Sequence, residues 1–376
     1  MHKKLNLTIV LALLVSMLLA GTVSAQSPAA IQDAANTYFS GGAKNITADA
    51  LYENLNDGDT SNDPFILSVR KAEHYAAGHI PGAVNISAGA LFSEENLATL
   101  PTDKQIVVYC YTGQTASQVT SALNMLGYDA ANLKFGFGSW TLNADAGSKW
   151  FNEATAGNDF AVETEANEAT ETYDFPTPLA AGVAEAANAY FSGGTKNISA
   201  ADLFDNLMDG DDSNDPFVLS VRSADHYAIG HVPGAVNIGA GALFTEDNLA
   251  KLPTDKQIVV YCYTGQSASQ VASVLNMLGY DAANMLYGMQ AWTMDTDVRA
   301  KFFNADVHSF DYAFEGTAAP AAEEEAAAEE EEAAPEALPE TGADPVSLAP
   351  VGLVIFGVLS MGVGVVGYAV NRRKSA

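Results

Sequence analysis

Cys110 and Cys262 are the only two thiols in the 376-residue chain. Each follows a short apolar run, 106–109 or 258–261, and opens a loop of hydroxyl and glycine residues. The loops read Cys110-Tyr111-Thr112-Gly113-Gln114-Thr115 and Cys262-Tyr263-Thr264-Gly265-Gln266-Ser267. A cysteine leaving the carboxyl end of a buried strand, just before a helix begins, sits beside free backbone N–H groups and the positive end of a helix dipole. That setting lowers a thiol pKa and attracts anions. The chemistry it suits is attack of a thiolate on a sulfane sulfur, with the persulfide anion held by the same amides. Thr115 with Gln118, and Ser267 with Gln270, have the spacing of a capping box at the helix start. A disulfide between the two thiols is the competing reading, which an oxidising exterior permits. Equivalent placement in two ligand-type loops argues against a mere staple.

The elements that must hold these loops come in duplicate. The segment near Ile31 returns near Val183 at a constant offset of 152 positions, without a gap. Asn62-Asp63-Pro64-Phe65 becomes Asn214-Asp215-Pro216-Phe217, Trp140 becomes Trp292, and Lys149-Trp150-Phe151-Asn152 becomes Lys301-Phe302-Phe303-Asn304. Two copies at so long a period are duplicated domains rather than a solenoid. Runs such as 65–69 and 105–109 read as buried strands, and 48–54 and 116–126 as helices. Strand and helix in alternation imply a parallel sheet covered on both faces. The expected division is domain 1 over 26–160, a linker over 161–178 rich in Glu, Thr, Ala and Asn, and domain 2 over 179–316.

The two ends speak of destination. Residues 1–25 carry Lys3 and Lys4, an apolar run and the small residues Val23-Ser24-Ala25, the pattern of a secretory signal cleaved before Gln26. Residues 317–340 are almost wholly Ala, Glu and Pro, which cannot build a core and should form an extended stalk. An uncharged stretch at 346–370 is long enough to span a bilayer, and the basic tail 371–376, with Arg372, Arg373 and Lys374, should stay cytoplasmic. Just upstream, Leu338-Pro339-Glu340-Thr341-Gly342 (338–342) resembles the sorting signal of proteins that sortases link to the cell envelope. That resemblance implies cleavage between Thr341 and Gly342, with sortase, envelope and, before processing, membrane as partners. A cell-surface location follows from both ends together. A formal charge of −29 repels phosphate backbones and excludes nucleic acid as a partner.

Tyr75-Ala76-Ala77-Gly78-His79-Ile80-Pro81-Gly82-Ala83-Val84-Asn85, with its twin from Tyr227 to Asn237, resembles the G-H-I-P-G-A segment of rhodanese-like domains. The strands ending in Val69-Arg70 and Val221-Arg222, the cysteine loops and the 136–140 element follow in that family's order. The resemblance covers nearly all of both repeats. It implies an α/β fold with a five-stranded parallel sheet flanked by helices in each repeat, and movement of sulfur from donors such as thiosulfate or mercaptopyruvate to a thiol or cyanide. It also implies Cys110 and Cys262 as nucleophiles, the loop residues as the persulfide cradle, Arg70 and Arg222 as supporting groups, and no cofactor. Three positions depart from the family pattern. Thr115 and Ser267 stand where many single-domain members have Arg, Ser68 and Ser220 replace the usual Asp, and both repeats keep a cysteine.

Other chemistries fit less well. A cysteine phosphatase needs Arg six positions after the nucleophile, where Ala116 and Ala268 stand. His74 with His79, and His226 with His231, have no second pair of metal ligands nearby, so no metal is expected there, and the histidine of the G-H-I-P turn and its twin, His79 and His231, are expected to hydrogen-bond backbone. The aspartate-rich stretches 57–63 and 209–215 lack the glycine and the final glutamate of a calcium loop and read as helix-to-strand turns. Tyr111 and Tyr263 are expected to face solvent, and the tryptophans to pack. A surface sulfur carrier, sensor or partner-binding protein on the same fold is the alternative to a catalyst, because the loop Arg is missing.

Overall fold

The structure, a computed structural model, describes residues 28–318. The expected export signal, nearly all of the stalk, the sorting motif with Thr341 and Gly342, the apolar span and the basic tail lie outside those residues. Among the described residues no helix is long and apolar enough to cross a membrane.

Each repeat forms one five-stranded, all-parallel sheet flanked by helices, as expected from the alternation of strand and helix. In the first, β1 (Asn45–Ile46), β2 (Phe65–Ser68), β3 (Val84–Asn85), β4 (Ile106–Tyr109) and β5 (Ala130–Leu133) lie in the order β1-β5-β4-β2-β3. In the second, β6 (Asn197–Ile198), β7 (Phe217–Ser220), β8 (Val236–Asn237), β9 (Ile258–Tyr261) and β10 (Ala282–Met285) repeat it as β6-β10-β9-β7-β8. The central strands β4 and β9 are buried throughout, which is why they read as unbroken apolar runs rather than alternating ones.

Alternation survives as a choice between two cores. Ile106, Val108 and Cys110 face one buried cluster, while Val107 and Tyr109 face another on the opposite side of the sheet. The first cluster is shared: it runs without a break into Ile258, Val260 and Cys262 of the second repeat. Both cysteines therefore lie on the sheet faces turned toward the partner repeat.

The seam is built chiefly by the two helices that follow the cysteine loops, Gln114–Met125 and Gln266–Met277, which pack on each other. The tyrosine and phenylalanine contacts across it are each made twice, once from either repeat. The Tyr38 hydroxyl donates to Gln270 Oε1 at 3.0 Å, and Tyr190 donates to Gln118 Oε1 at 2.8 Å. Phe39 stacks on Phe244 and Phe92 on Phe191, each at 4.6 Å between centroids. Aromatic pairs of this kind add about 0.5–1.5 kcal/mol each beyond their buried area.

The stretch expected to be a linker is instead a strap on the second repeat. Glu163 and His231 exchange backbone hydrogen bonds at 2.9 Å, Trp292 Nε1 donates to the Ala161 carbonyl at 2.9 Å, and Phe160 stacks on Phe204 at 3.9 Å. The segment after the second repeat returns to do the same for the first. Glu315 pairs with His79, Trp140 Nε1 donates to the Ala313 carbonyl at 2.8 Å, and Tyr312 stacks on Tyr52 at 3.9 Å. Each repeat is thus closed by the tail of the other.

Candidate active site

The cysteines are unbonded, which removes the disulfide reading. Cys110 is 3% exposed and Cys262 2%. Each ends a central strand, and Gly113 or Gly265 then turns the chain with φ of 81° or 78° into a twelve-residue helix. The first helical hydrogen bonds are Ser117 N to Gly113 O and Ser269 N to Gly265 O, both 3.0 Å. The amides of Gln114, Thr115 and Ala116, like those of Gln266, Ser267 and Ala268, precede that closure and belong to the helix start, where N–H groups find no intrahelical acceptor.

The capping-box expectation is corrected. The left-handed glycine starts the helix two residues early, so Thr115 and Ser267 lie inside it and Gly113 and Gly265 are the caps. Gln118 and Gln270 do not reach back to the loop, because their carboxamides accept from the tyrosines across the seam.

Gln114 and Gln266 cross the seam as well. Gln266 Oε1 accepts from Asn132 Nδ2 at 2.9 Å and from the Phe135 amide at 3.2 Å, while Gln114 Oε1 accepts from Asn284 Nδ2 and the Tyr287 amide, both at 3.0 Å. Phe135 and Tyr287 hold positive φ angles of 65° and 63°, a conformation rarely adopted outside glycine. The following Gly136 and Gly288 lie directly on the cysteine loops: a Cβ on Gly136 would come 2.7 Å from the Cys110 carbonyl oxygen. Each loop is thus clamped between its own sheet and a carboxamide from the other repeat.

Thr112 and Thr264 receive the carboxamide nitrogens of Gln114 and Gln266 at 3.2 and 3.3 Å, which closes the loop on itself. Tyr111 and Tyr263 are half-buried rather than solvent-facing. Their hydroxyls accept from the amides of Lys71 and Ser223 at 3.2 Å and share 2.6 Å hydrogen bonds with His74 and His226 Nδ1. Burial pushes the Tyr111 hydroxyl pKa up, so it stays protonated. The other histidines bond to backbone as expected: His79 and His231 Nδ1 lie 2.8 and 2.9 Å from the carbonyls of Tyr75 and Tyr227.

Arg70 and Arg222 are buried beneath the loops. Arg70 donates to the carbonyls of Ala146 and Gly78 and lies over the Phe137 ring at 4.0 Å; Arg222 donates to the carbonyls of Val298, at 2.9 Å, and Gly230. In both, the terminal guanidinium nitrogens donate to backbone under the loop floor while the buried Nε has no hydrogen-bond partner among the described residues, and the backbone ties brace the site. Asn85 and Asn237 complete that floor, donating to Ser68 and Ser220 Oγ at 3.2 Å. The serines therefore accept a neutral amide where the family pattern has a carboxylate. In the 57–63 turn, Asp57 and Asp59 accept from Asn62, Ser61 and neighbouring amides of the turn itself.

A cavity of about 570 Å3 opens on the second site, lined by Cys262, Thr264, Ser267, Lys301, Lys134 and His308 among others. Lys134, Lys301 and His308 escaped the sequence reading. Lys301 carried a signal, its exact recurrence at Lys149; Lys134 carried none, because it belongs to the other repeat. A thiolate at the cavity floor, beside helix-start amides, can attack a small electrophilic sulfur and hold the product anion.

Comparison with known proteins agrees with this layout. The family model for the rhodanese-like domain matches residues 47–143 and again 199–295. The chain is 31% identical over 97 residues to a putative sulfurtransferase, YtwF, of Bacillus subtilis, covering 26% of this chain and 89% of that one. It is 28% identical over 97 residues to a putative sulfur carrier protein, YrkF, of the same organism, covering 26% of this chain and 50% of that one. Among solved structures, a rhodanese-like domain protein of Staphylococcus aureus is 29% identical, covering 25% of this chain and 87% of that one with a TM-score of 0.23. Two family matches spanning more than half of the sequence make this chain a member of the rhodanese-like family, carrying two copies of the domain in tandem.

Proposed function

We propose that the protein is an extracytoplasmic sulfurtransferase, held at the cell surface by its C-terminus, that moves sulfane sulfur through cysteine persulfides. The observation that carries the chemistry is the pair of unbonded cysteines, each ending a central parallel strand at the start of a long helix, with a cavity open on Cys262. The exported location rests on the sequence patterns at 1–25 and 338–370. The thiolate attacks the outer sulfur of a donor such as thiosulfate. The donor's sulfur–sulfur bond breaks, its electron pair leaves with sulfite, and a cysteine persulfide anion forms. The loop amides and the helix dipole hold that anion. A thiolate or cyanide then attacks the outer sulfur and releases the cysteine thiolate. Arg70 and Arg222 keep the loop in place from below, and Tyr111 and Tyr263 wall it from the side.

The test is intact and peptide mass spectrometry of the full chain after treatment with thiosulfate. Addition of one sulfur atom at Cys110 or Cys262, lost when a thiol acceptor is added, is the expected result. No added sulfur at either cysteine with thiosulfate or mercaptopyruvate would sink the reading. Persistence of the added sulfur in the presence of thiol or cyanide would favour a carrier, a second reading supported by Thr115 and Ser267 standing in place of the loop arginine.

A further inference from the structure

The two cysteine sites share a sequence but not a charge environment. The cavity on Cys262 straddles the seam: Asn45, Lys134 and Phe135 come from the first repeat, Lys301 and His308 from the second. Not one carboxylate lines it, in a chain with 46 acidic residues and only 17 basic ones. Lys301 Nζ stands 5.0 Å from the Tyr263 ring centre and Lys134 Nζ 4.9 Å from that of Phe135. Among the described residues neither lysine forms an ion pair. Burial, with the neighbouring charge of Lys301, depresses the Lys134 pKa. Two lysines that repel each other over a carboxylate-free cavity gain most from a ligand carrying two negative charges.

The first site lacks this arrangement. Lys149 repeats Lys301 and lies 4.8 Å from the Tyr111 ring centre, but Leu286 occupies the position of Lys134 and Ala156 that of His308.

We propose that Lys134, reaching across from the first repeat, combines with Lys301 to make the Cys262 site selective for a dianionic sulfane-sulfur donor of the thiosulfate class, and that the Cys110 site, with Leu286 in that place, has no such selectivity. This inference rests on the persulfide reading above. The step is balanced: the Cys262 thiolate takes the outer sulfur, the donor's sulfur–sulfur bond breaks, and sulfite departs with the electron pair and both of the donor's negative charges. Lys134 and Lys301 hold the donor as it docks and sulfite as it leaves.

The experiment compares thiosulfate with mercaptopyruvate, which carries a single carboxylate, as donors to the full chain. Charging rates of Cys262 and Cys110 are read separately by peptide mass spectrometry. The expected ratio of thiosulfate to mercaptopyruvate charging is higher at Cys262 than at Cys110. Removing one cation costs a dianion about twice what it costs a monoanion, so Lys134→Leu should lower the Cys262 ratio by about fivefold. Leu286→Lys, at a half-buried position in the reciprocal place, should raise the Cys110 ratio. Equal ratios at the two cysteines, or a Cys262 ratio unmoved by Lys134→Leu, would overturn the inference while leaving sulfur transfer intact. Failure of both donors at both cysteines would instead overturn the sulfur-transfer reading and this inference with it.

Discussion

Gln266 Oε1 accepts from the Phe135 amide and from Asn132 Nδ2, whose other acceptor is Asn45 Oδ1, and Gln114 does the same in reverse for Tyr287 and Asn284, the latter shared with Asn197 Oδ1. Replacing Gln266 with leucine keeps the volume but strands the Phe135 amide and one of the two Asn132 carboxamide hydrogens in the interior. Each stranded donor costs about 1–3 kcal/mol, so the urea midpoint should fall markedly, and the same holds for Gln114→Leu. An unchanged midpoint would show that the carboxamides are incidental. Arg222→Met makes a parallel case. Its guanidinium ties the Val298 and Gly230 carbonyls, and hydrogen bonds to a charged group contribute about 1.5–3 kcal/mol each. Equilibrium unfolding of this variant should show a loss of at least about 2 kcal/mol, together with slower sulfur loading if the arginine braces the loop. The cysteine loops were legible because thiols are scarce and these two recur in register. Lys134 was not, since its meaning depends on a neighbour folded against it from the other repeat.

Helices 114–125 and 266–277 are fastened by Tyr38 and Tyr190, whose hydroxyls donate to Gln270 and Gln118. Burial pushes each tyrosine from 10.0 to about 12. For an acid that is neutral when protonated, a raised folded pKa means that the native state holds the proton longer than the unfolded chain. Stability from these two groups is therefore complete below pH 10 and lost as pH rises from 10 toward 12. Urea unfolding between pH 9 and 11.5 should show a downward slope, and the double variant Tyr38→Phe/Tyr190→Phe should start lower and fall less steeply. Parallel slopes for parent and variant would exclude these tyrosines as the cause. The strand–helix alternation announced the sheets, and the strand and helix bounds came within a few residues of those observed. The helix caps were misread because Thr115 and Gln118 have capping spacing, yet a left-handed glycine and a tyrosine beyond the repeat boundary decide where the helix starts and where the glutamine points. Local patterns are reliable only where no long-range partner competes for the same side chain.

The crossed tails tie the two repeats into a single closed assembly. Asp159, Phe160, Ala161 and Glu163 serve the second repeat, while Asp311, Tyr312, Ala313 and Glu315, their counterparts at the constant offset, serve the first. Their receptors also match: Thr141 and Thr293, Tyr52 and Phe204, Trp140 and Trp292, His79 and His231. A fragment of residues 26–178 carries the first repeat together with the tail meant for its partner, but without the tail that covers its own Trp140. Its seam face would also be stripped of the second helix and of the aromatic stacks at Phe39 and Phe92. Two copies could satisfy both needs at once, each tail crossing to the other sheet about a true two-fold axis, as exchanged segments do in symmetric dimers. The fragment should therefore elute as a dimer in light-scattering chromatography, with a midpoint of unfolding that rises with concentration. Shortening it to 26–157 removes the strap and should weaken that dimer while leaving the helix seam. A stable monomer whose unfolding is independent of concentration would show instead that one repeat can cover its own tryptophan, and that the crossing of the tails is not what holds the pair together.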